Sequence, residues 1–325
     1  MMLRYVARRL IQMIPLLFVI SLLSFLIMHL APGDPTVFFI DPAKQGTLSP
    51  QEVARMKAQF GLDQPVYVQY LRWLGNVLQG NWGFSILSKK SVLGEIGSRL
   101  PNTLLLGGAA LLLSLVVSIP AGILSATRKY TLFDYSVTGL AFFGVSIPAF
   151  WLGLMLMQVF ANQLRWLPAV GMHNVREQLQ GWANARDVFL HMIMPTVVLA
   201  VNSMASWTRF QRSSLLEVIG QDYIRTARAK GLRERAVILR HAVRNALIPM
   251  ITLLGMSLPN LVGGAFVTET VFGWPGMGRL GVGAIISRDY PIIMGVTMMS
   301  ALLVILGNFL ADIAYACVDP RIHFE

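Results

Sequence analysis

The sequence predicts an all-α integral membrane protein with six transmembrane helices, and three observations carry that reading. Six stretches lack any Asp, Glu, Lys or Arg over a length that can cross a bilayer. Apolar types make up 55% of the 325 residues and charged types only 13%, about half the charged share of soluble domains. The Lys and Arg residues gather in alternate connections. A soluble fold of this size has too little polar surface to cover so much apolar material, which excludes a cytosolic enzyme and a disordered chain. The one cysteine, Cys317, excludes an internal disulfide and a cysteine-cluster metal site.

Crossing about 30 Å of hydrocarbon at 1.5 Å per residue takes roughly 20 apolar residues. The charge-free stretches 10–33, 100–127, 135–164, 188–208, 245–268 and 290–311 meet that length. They give spans over residues 10–30, 100–127, 135–161, 188–210, 245–270 and 290–314, with a core over 95–316. Arg4, Arg8 and Arg9 precede the first span as they would a signal peptide. Its apolar run is too long for that, and residues 28–32 make a poor small-residue cleavage site, so an uncleaved helix is expected.

Six spans put both termini on one side. The amino terminus (residues 1–9) carries three Arg, the 128–134 connection Arg128 and Lys129, and the connection from the fourth to the fifth span nine Lys or Arg between Arg209 and Arg244. The short opposite connections hold Arg165, Arg176, Arg186, Arg279 and Arg288, and the long segment 31–99 counts little in a positive-inside comparison. Both termini are therefore expected in the cytoplasm. The net charge of +11 is thus topological, together with attraction to anionic membrane lipid, and nucleic acid is excluded as a partner.

Two connections have character of their own. Residues 31–99 read as an extracytoplasmic segment, with turn formers at Pro32-Gly33-Asp34-Pro35 and a helix expected near 49–60, capped by Ser49. Residues 211–244 read as helical throughout, with no Pro, two Gly and a steady supply of Ala, Arg, Leu and Glu.

Much chemistry is missing. No Gly-x4-Gly-Lys-Ser/Thr sequence is present to cradle ATP phosphates, and the five histidines are scattered. Gly276-Met277-Gly278-Arg279-Leu280-Gly281 matches a dinucleotide fingerprint by letter, but between two membrane spans it reads as a turn. Glu269 closes the fifth span and Asp312 the sixth; neither lies at mid-depth, where a proton-driven carrier needs charge. Asn202, Ser203, Ser257, Asn260, Glu269 and Asn308 are candidates to line a pathway, with helix–helix hydrogen bonding as the competing role.

The segment Asp222-Tyr223-Ile224-Arg225-Thr226-Ala227-Arg228-Ala229-Lys230-Gly231-Leu232 has a defined shape. Asp222 is placed to cap a short helix, and Gly231 to end it in a left-handed turn. A short helix of small residues held between two spans suits docking into a groove of a partner.

These residues resemble the Glu-Ala-Ala-x3-Gly loop of ATP-binding-cassette importer permeases, in the version found in oligopeptide, dipeptide, glutathione and nickel systems. Arg225 stands where the general motif has Glu and Thr226 replaces its first Ala, while Ala227 and Gly231 are kept. Further landmarks agree in order: Arg8-Arg9-Leu10, Gly61-Leu62-Asp63-Gln64-Pro65, Gln69-Tyr70-x-x-Trp73, residues 269–278, Arg288-Asp289-Tyr290-Pro291 and Asp319-Pro320-Arg321.

The resemblance implies a type I importer permease fold and a transport subunit without catalytic residues. Its partners would be a second permease, two ATPases that bind ATP and Mg, and an extracytoplasmic substrate-binding protein; this chain itself would hold no cofactor or metal. Residues 222–232 would be the coupling helix, and Asp34, Asp63, Tyr70 and Trp73 would face the binding protein. The cargo would be peptide, with nickel chelate, glutathione or oligosaccharide as alternatives. A stand-alone carrier or membrane enzyme is the reading from another class, and it lacks the intramembrane charges it needs.

Overall fold

A computed structural model describes residues 2–30, 51, 55, 63–174, 179–257 and 265–318. Among these, regular structure is helical apart from one isolated bridge between Phe84 and Ser91. The elements are α1 (Met2–Leu30), α2 (Val66–Leu78), α3 (Val92–Thr127), α4 (Leu132–Ser146), α5 (Ala149–Leu156), α6 (Gly181–Ile219) and α7 (Asp222–Ala229). They continue as α8 (Glu234–Ser257), α9 (Phe266–Val271), α10 (Met277–Ser287) and α11 (Tyr290–Val318). Five helices among the described residues are long and apolar enough to cross a membrane, or six if α4 and α5 count as one bent span. Helices are forced here because hydrocarbon offers no partner to a free backbone N–H or C=O.

Three expectations are corrected. The third span is not one helix: α4 and α5 meet at 105°. Pro148 has no N–H to donate and drives the residue before it out of the helical region; Ile147 has φ −81° and ψ 126°. By contrast, Pro195 is accommodated inside α6. The 211–244 stretch is not continuous helix either. It divides at Gly220 and Gln221 and again across residues 230–233, where Gly231 takes φ +75°. Residues 276–281 are not a turn but the start of α10, with Gly276 as its extended N-cap. The helix expected near 49–60 falls mostly outside the described residues.

The chain forms two compact units. In the first, residues 1–102 and 276–305, Tyr70 is buried among Phe18, Phe25 and Trp73 at ring-centroid distances of 6.0, 5.4 and 6.1 Å. Its hydroxyl lies 2.7 Å from the Ser21 hydroxyl. Buried Asp289 accepts from the Ser85 hydroxyl and from the Ile86 and Leu87 amides at 3.2 and 3.4 Å, which fixes the turn before α3.

In the second unit, residues 103–275 and 306–325, α3 and α4 pack on α6. Gly122 permits a close approach: a Cβ there would stand 2.7 Å from Gln211 Cβ and 2.9 Å from the Thr208 carbonyl oxygen. Gly144 is similar, with a would-be Cβ 3.1 Å from Val201 Cγ1. Gly122→Val therefore overpacks the α3–α6 contact by about 1–3 kcal/mol and should lower the melting temperature in detergent. Gly139→Ala, with nothing within 4 Å of the added methyl, should leave it unchanged or raise it. Equal melting temperatures for the two variants would contradict this packing.

Candidate coupling site

The short helix α7 is built by its two ends and one buried face. Gln221, with ψ 151°, is the N-cap residue, so Asp222 is the first helical residue and not the cap. Its carboxylate still lies at the positive end of the helix dipole, and its backbone carbonyl accepts from the Thr226 hydroxyl at 3.0 Å. At the other end the Lys230 amide donates to the Thr226 carbonyl at 3.0 Å and the Gly231 amide to that of Arg228 at 2.9 Å. Gly231 has open space around it, so its left-handed conformation is what calls for glycine.

Ile224 and Ala227, three residues apart, point to one side. They are buried with Leu215 of α6, Ala126 of α3, and Val237, Ala242, Val243 and Ala246 of α8. In α8 a π-helical turn spans Val237–Ala242. Its i to i+5 repeat puts the two fully buried end residues of that turn on one face.

The remaining residues of the segment, Asp222, Tyr223, Arg225, Thr226, Arg228, Ala229, Lys230, Gly231 and Leu232, are exposed. Tyr223 accepts a hydrogen bond from Asn245 Nδ2 at 3.0 Å. Arg228 donates to Glu234 through one guanidinium edge, Nε at 3.1 Å and Nη2 at 2.7 Å, and closes the 230–233 loop. That hydrogen bond, with the nearby negative charge, raises the Arg228 pKa above its ordinary value. The Arg225–Asp222 contact is 3.5 Å long and solvent-exposed, and adds little. The exposed face of α7 is thus basic, whereas Ala227 is used by the chain itself.

The other candidate residues are dispersed. Asn202 and Asn308 are exposed and Ser203 is half-buried. Half-buried Ser257 donates to the Leu254 carbonyl at 2.7 Å. Glu269 is not on a surface: it is fully buried and accepts from the Thr103 hydroxyl at 2.7 Å, tying α9 to α3. Asn260 and Asp34 lie outside the described residues. Asp63 is exposed, but Tyr70 is buried and Trp73 half-buried in the aromatic cluster of their own chain, which corrects the expectation that Tyr70 faces a partner.

One constellation escaped the sequence reading. Asp134, at the start of α4, is buried and gripped by Arg212 of α6, Nε to Oδ1 at 2.7 Å and Nη2 to Oδ2 at 2.8 Å. The Ser125 hydroxyl of α3 donates to Oδ1, and the Tyr130 amide to Oδ2 at 2.9 Å. Removing one partner of such a pair costs about 3–5 kcal/mol. The two residues are 78 apart in sequence, and nothing local marks them as partners.

Long apolar helices, five or six of them able to cross a membrane, define a multi-pass membrane protein, and comparison with known proteins gives its class. Residues 118–324 match the family described as the binding-protein-dependent transport system inner membrane component, and residues 2–107 match its N-terminal companion. The chain belongs to this family of multi-pass inner-membrane permeases, in which ATP hydrolysis is the work of separate subunits. It is 46% identical to the oligopeptide transport system permease protein AppB of Bacillus subtilis, across 98% of this chain and 99% of that one. It is 39% identical, across both full lengths, to the dipeptide permease DppB and to the glutathione permease GsiC of Escherichia coli K12. A solved structure of the inward-facing MetNI methionine ABC transporter aligns with TM-score 0.56 at 18% identity, over 70% of this chain and 97% of that one. The fold is the type I importer permease fold.

Ala227→Asp places a carboxylate in the apolar cluster beneath α7 without a partner. We expect α7 to detach, so that trypsin cleaves after Arg225, Arg228 and Lys230 about tenfold faster or more, the change given by 1.4 kcal/mol of lost docking. Unchanged cleavage would contradict the assignment of Ala227 to the chain's own core.

Proposed function

We propose that this chain is one of two permeases that form the pathway of an ATP-driven peptide importer. The observation that carries the cargo class is the 46% identity, over nearly the whole of both chains, to a permease named for oligopeptide transport. The glutathione permease at 39% identity favours a second reading within the same chemistry, since glutathione is itself a modified tripeptide.

In this reading α7 and the following residues 230–232 seat in a groove of an ATPase subunit through the exposed face of Tyr223, Arg225, Thr226, Ala229 and Lys230. ATP and Mg are held by the two ATPases. Their closure drives the paired coupling helices together, and the spans exchange an inward-facing packing for an outward-facing one. The basic face of α7, the Lys and Arg of residues 211–244 and both termini then lie in the cytoplasm, as the positive-inside distribution supports. Segment 31–99 faces the substrate-binding protein, with Asp34 and Asp63 as the contacts left to it; Trp73 contributes through its exposed edge. Asn202, Ser203, Ser257, Asn260 and Asn308 are the polar groups proposed for the pathway.

Mild-detergent purification of the tagged chain from its native membrane, followed by mass spectrometry, tests this. We expect a second permease, one or two ATPase polypeptides and a binding protein, whose retained ligand is a peptide. Uptake of labelled tripeptide should be competed by other peptides and not by nickel. Repeated recovery of the chain alone would refute the importer reading, and a non-peptide ligand would refute the cargo.

A further inference from the structure

We infer that Asp134 and Arg212 are positioning residues that make the α3–α4 hairpin move as one body with the end of α6, so that displacement of α7 reaches the second and third spans as well as the fourth. The inference rests on the reading of α7 as the coupling helix.

Helix α6 runs 39 residues to Ile219, about 58 Å at 1.5 Å per residue, well beyond the hydrocarbon thickness of about 30 Å. Its far end therefore extends out of the bilayer or lies steeply tilted, and in either case acts as a long arm. Only Gly220 and Gln221 separate that end from α7, and Arg212 sits two turns before it.

One carboxylate collects four donors from three places: Arg212 Nε and Nη2 on α6, the Ser125 hydroxyl on α3, and the Tyr130 amide in the turn between α3 and α4. Asp134 itself begins α4, and its amide is held by the Thr131 side chain, the N-cap of that helix. A bidentate guanidinium–carboxylate fork resists rotation as well as separation. The neighbouring apolar contacts, in which Ile123 and Ala126 of α3 share a cluster with Leu215, Leu216 and Val218 of α6, are non-directional and by themselves permit sliding. The ion pair is what fixes the register.

A second anchor lies further along α4. Gly144 lets the backbone close onto Val201 and Ala205 of α6, so α4 is held at both ends before the bend at Pro148. Held at one end only, α4 would pivot; held at both, it must follow α6.

Spin labels at Glu217→Cys on α6 and Leu140→Cys on α4, both exposed positions, measure this directly in a Cys317→Ser background. The assembled transporter, with its ATPases and binding protein, would be studied by pulsed electron resonance with and without ATP and vanadate. With the clamp intact, the Glu217–Leu140 distance should be the same in both states. In Asp134→Asn and in Arg212→Lys, which keeps the charge but loses the fork, trapping should move the distance or at least double the width of its distribution. Uptake should fall about tenfold or more while ATP hydrolysis stays within twofold, and the double variant should be no worse than the poorer single one.

A nucleotide-dependent distance in the parent overturns the inference, as does a constant distance in both variants. Failure of both variants to assemble would make the pair a folding element only, which also overturns it. Thr226→Trp, on the exposed face of α7, separates this from the underlying reading. If Thr226→Trp retains its ATPases and transports normally, the coupling role of α7 is what fails; if it loses them while the clamp variants behave as parent, only the clamp fails.

Discussion

Everything proposed for the loop side of this protein depends on one apolar contact, the burial of Ile224 and Ala227 against the ends of three long helices. An isolated helix shorter than about 12–15 residues is marginal in water, and α7 has eight. It exists because Ile224 is fully buried, worth about 1.5–3 kcal/mol, and because Gly231 ends it without strain. The same contact makes α7 a rigid projection of the bundle. A flexible loop in that place would absorb a push from a partner, whereas a docked helix passes it on to Leu215, Val237 and Ala246.

The bilayer imposes the second constraint. Each polar backbone group within it needs an internal partner, which explains the long helices and makes every interruption informative. The break at Ile147–Pro148 turns a span through 105° where the sequence leaves no N–H at residue 148. The break at Gly220–Gln221 lies at the end of the longest helix and lets the chain turn into α7. One member of the Asp134–Arg212 pair lies ahead of each break, on α4 and on α6, forming a buried charge interaction of a kind that packed apolar side chains often replace at no loss of stability. A register-fixing role gives a reason for having an ion pair there.

Sequence reasoning located long apolar helices, five of them able to cross a membrane among the described residues, because absence of charge over 20 residues is a strong signal that tertiary context rarely overrides. It reached the end of α7 because Gly231 is called for by local backbone geometry. It could not tell Pro148, which breaks its span, from Pro195, which does not: the outcome depends on whether neighbouring helices satisfy the freed carbonyls. It took the start of α10 for a turn because the segment lies in a short connection between two spans, although a connection can itself hold a short helix, here with Gly278 and Gly281 buried in it. The resemblance gave Tyr70 to a partner because it treats the outer loop as one contact surface, whereas its ring completes the cluster with Phe25. The direction of Ala227 was equally hidden, since α7 is too short for its own periodicity to say which face is inward.

The central claim is that the exposed face of α7 meets an ATPase while Ile224 and Ala227 meet their own chain. A photoactivatable residue placed at Thr226 or, separately, at Ala227 in native membranes tests it most directly. The account predicts an ATPase adduct from position 226 that position 227 does not give, with cross-links from 227 confined to this chain. An ATPase adduct from 227 as strong as that from 226, or none from 226, would contradict it.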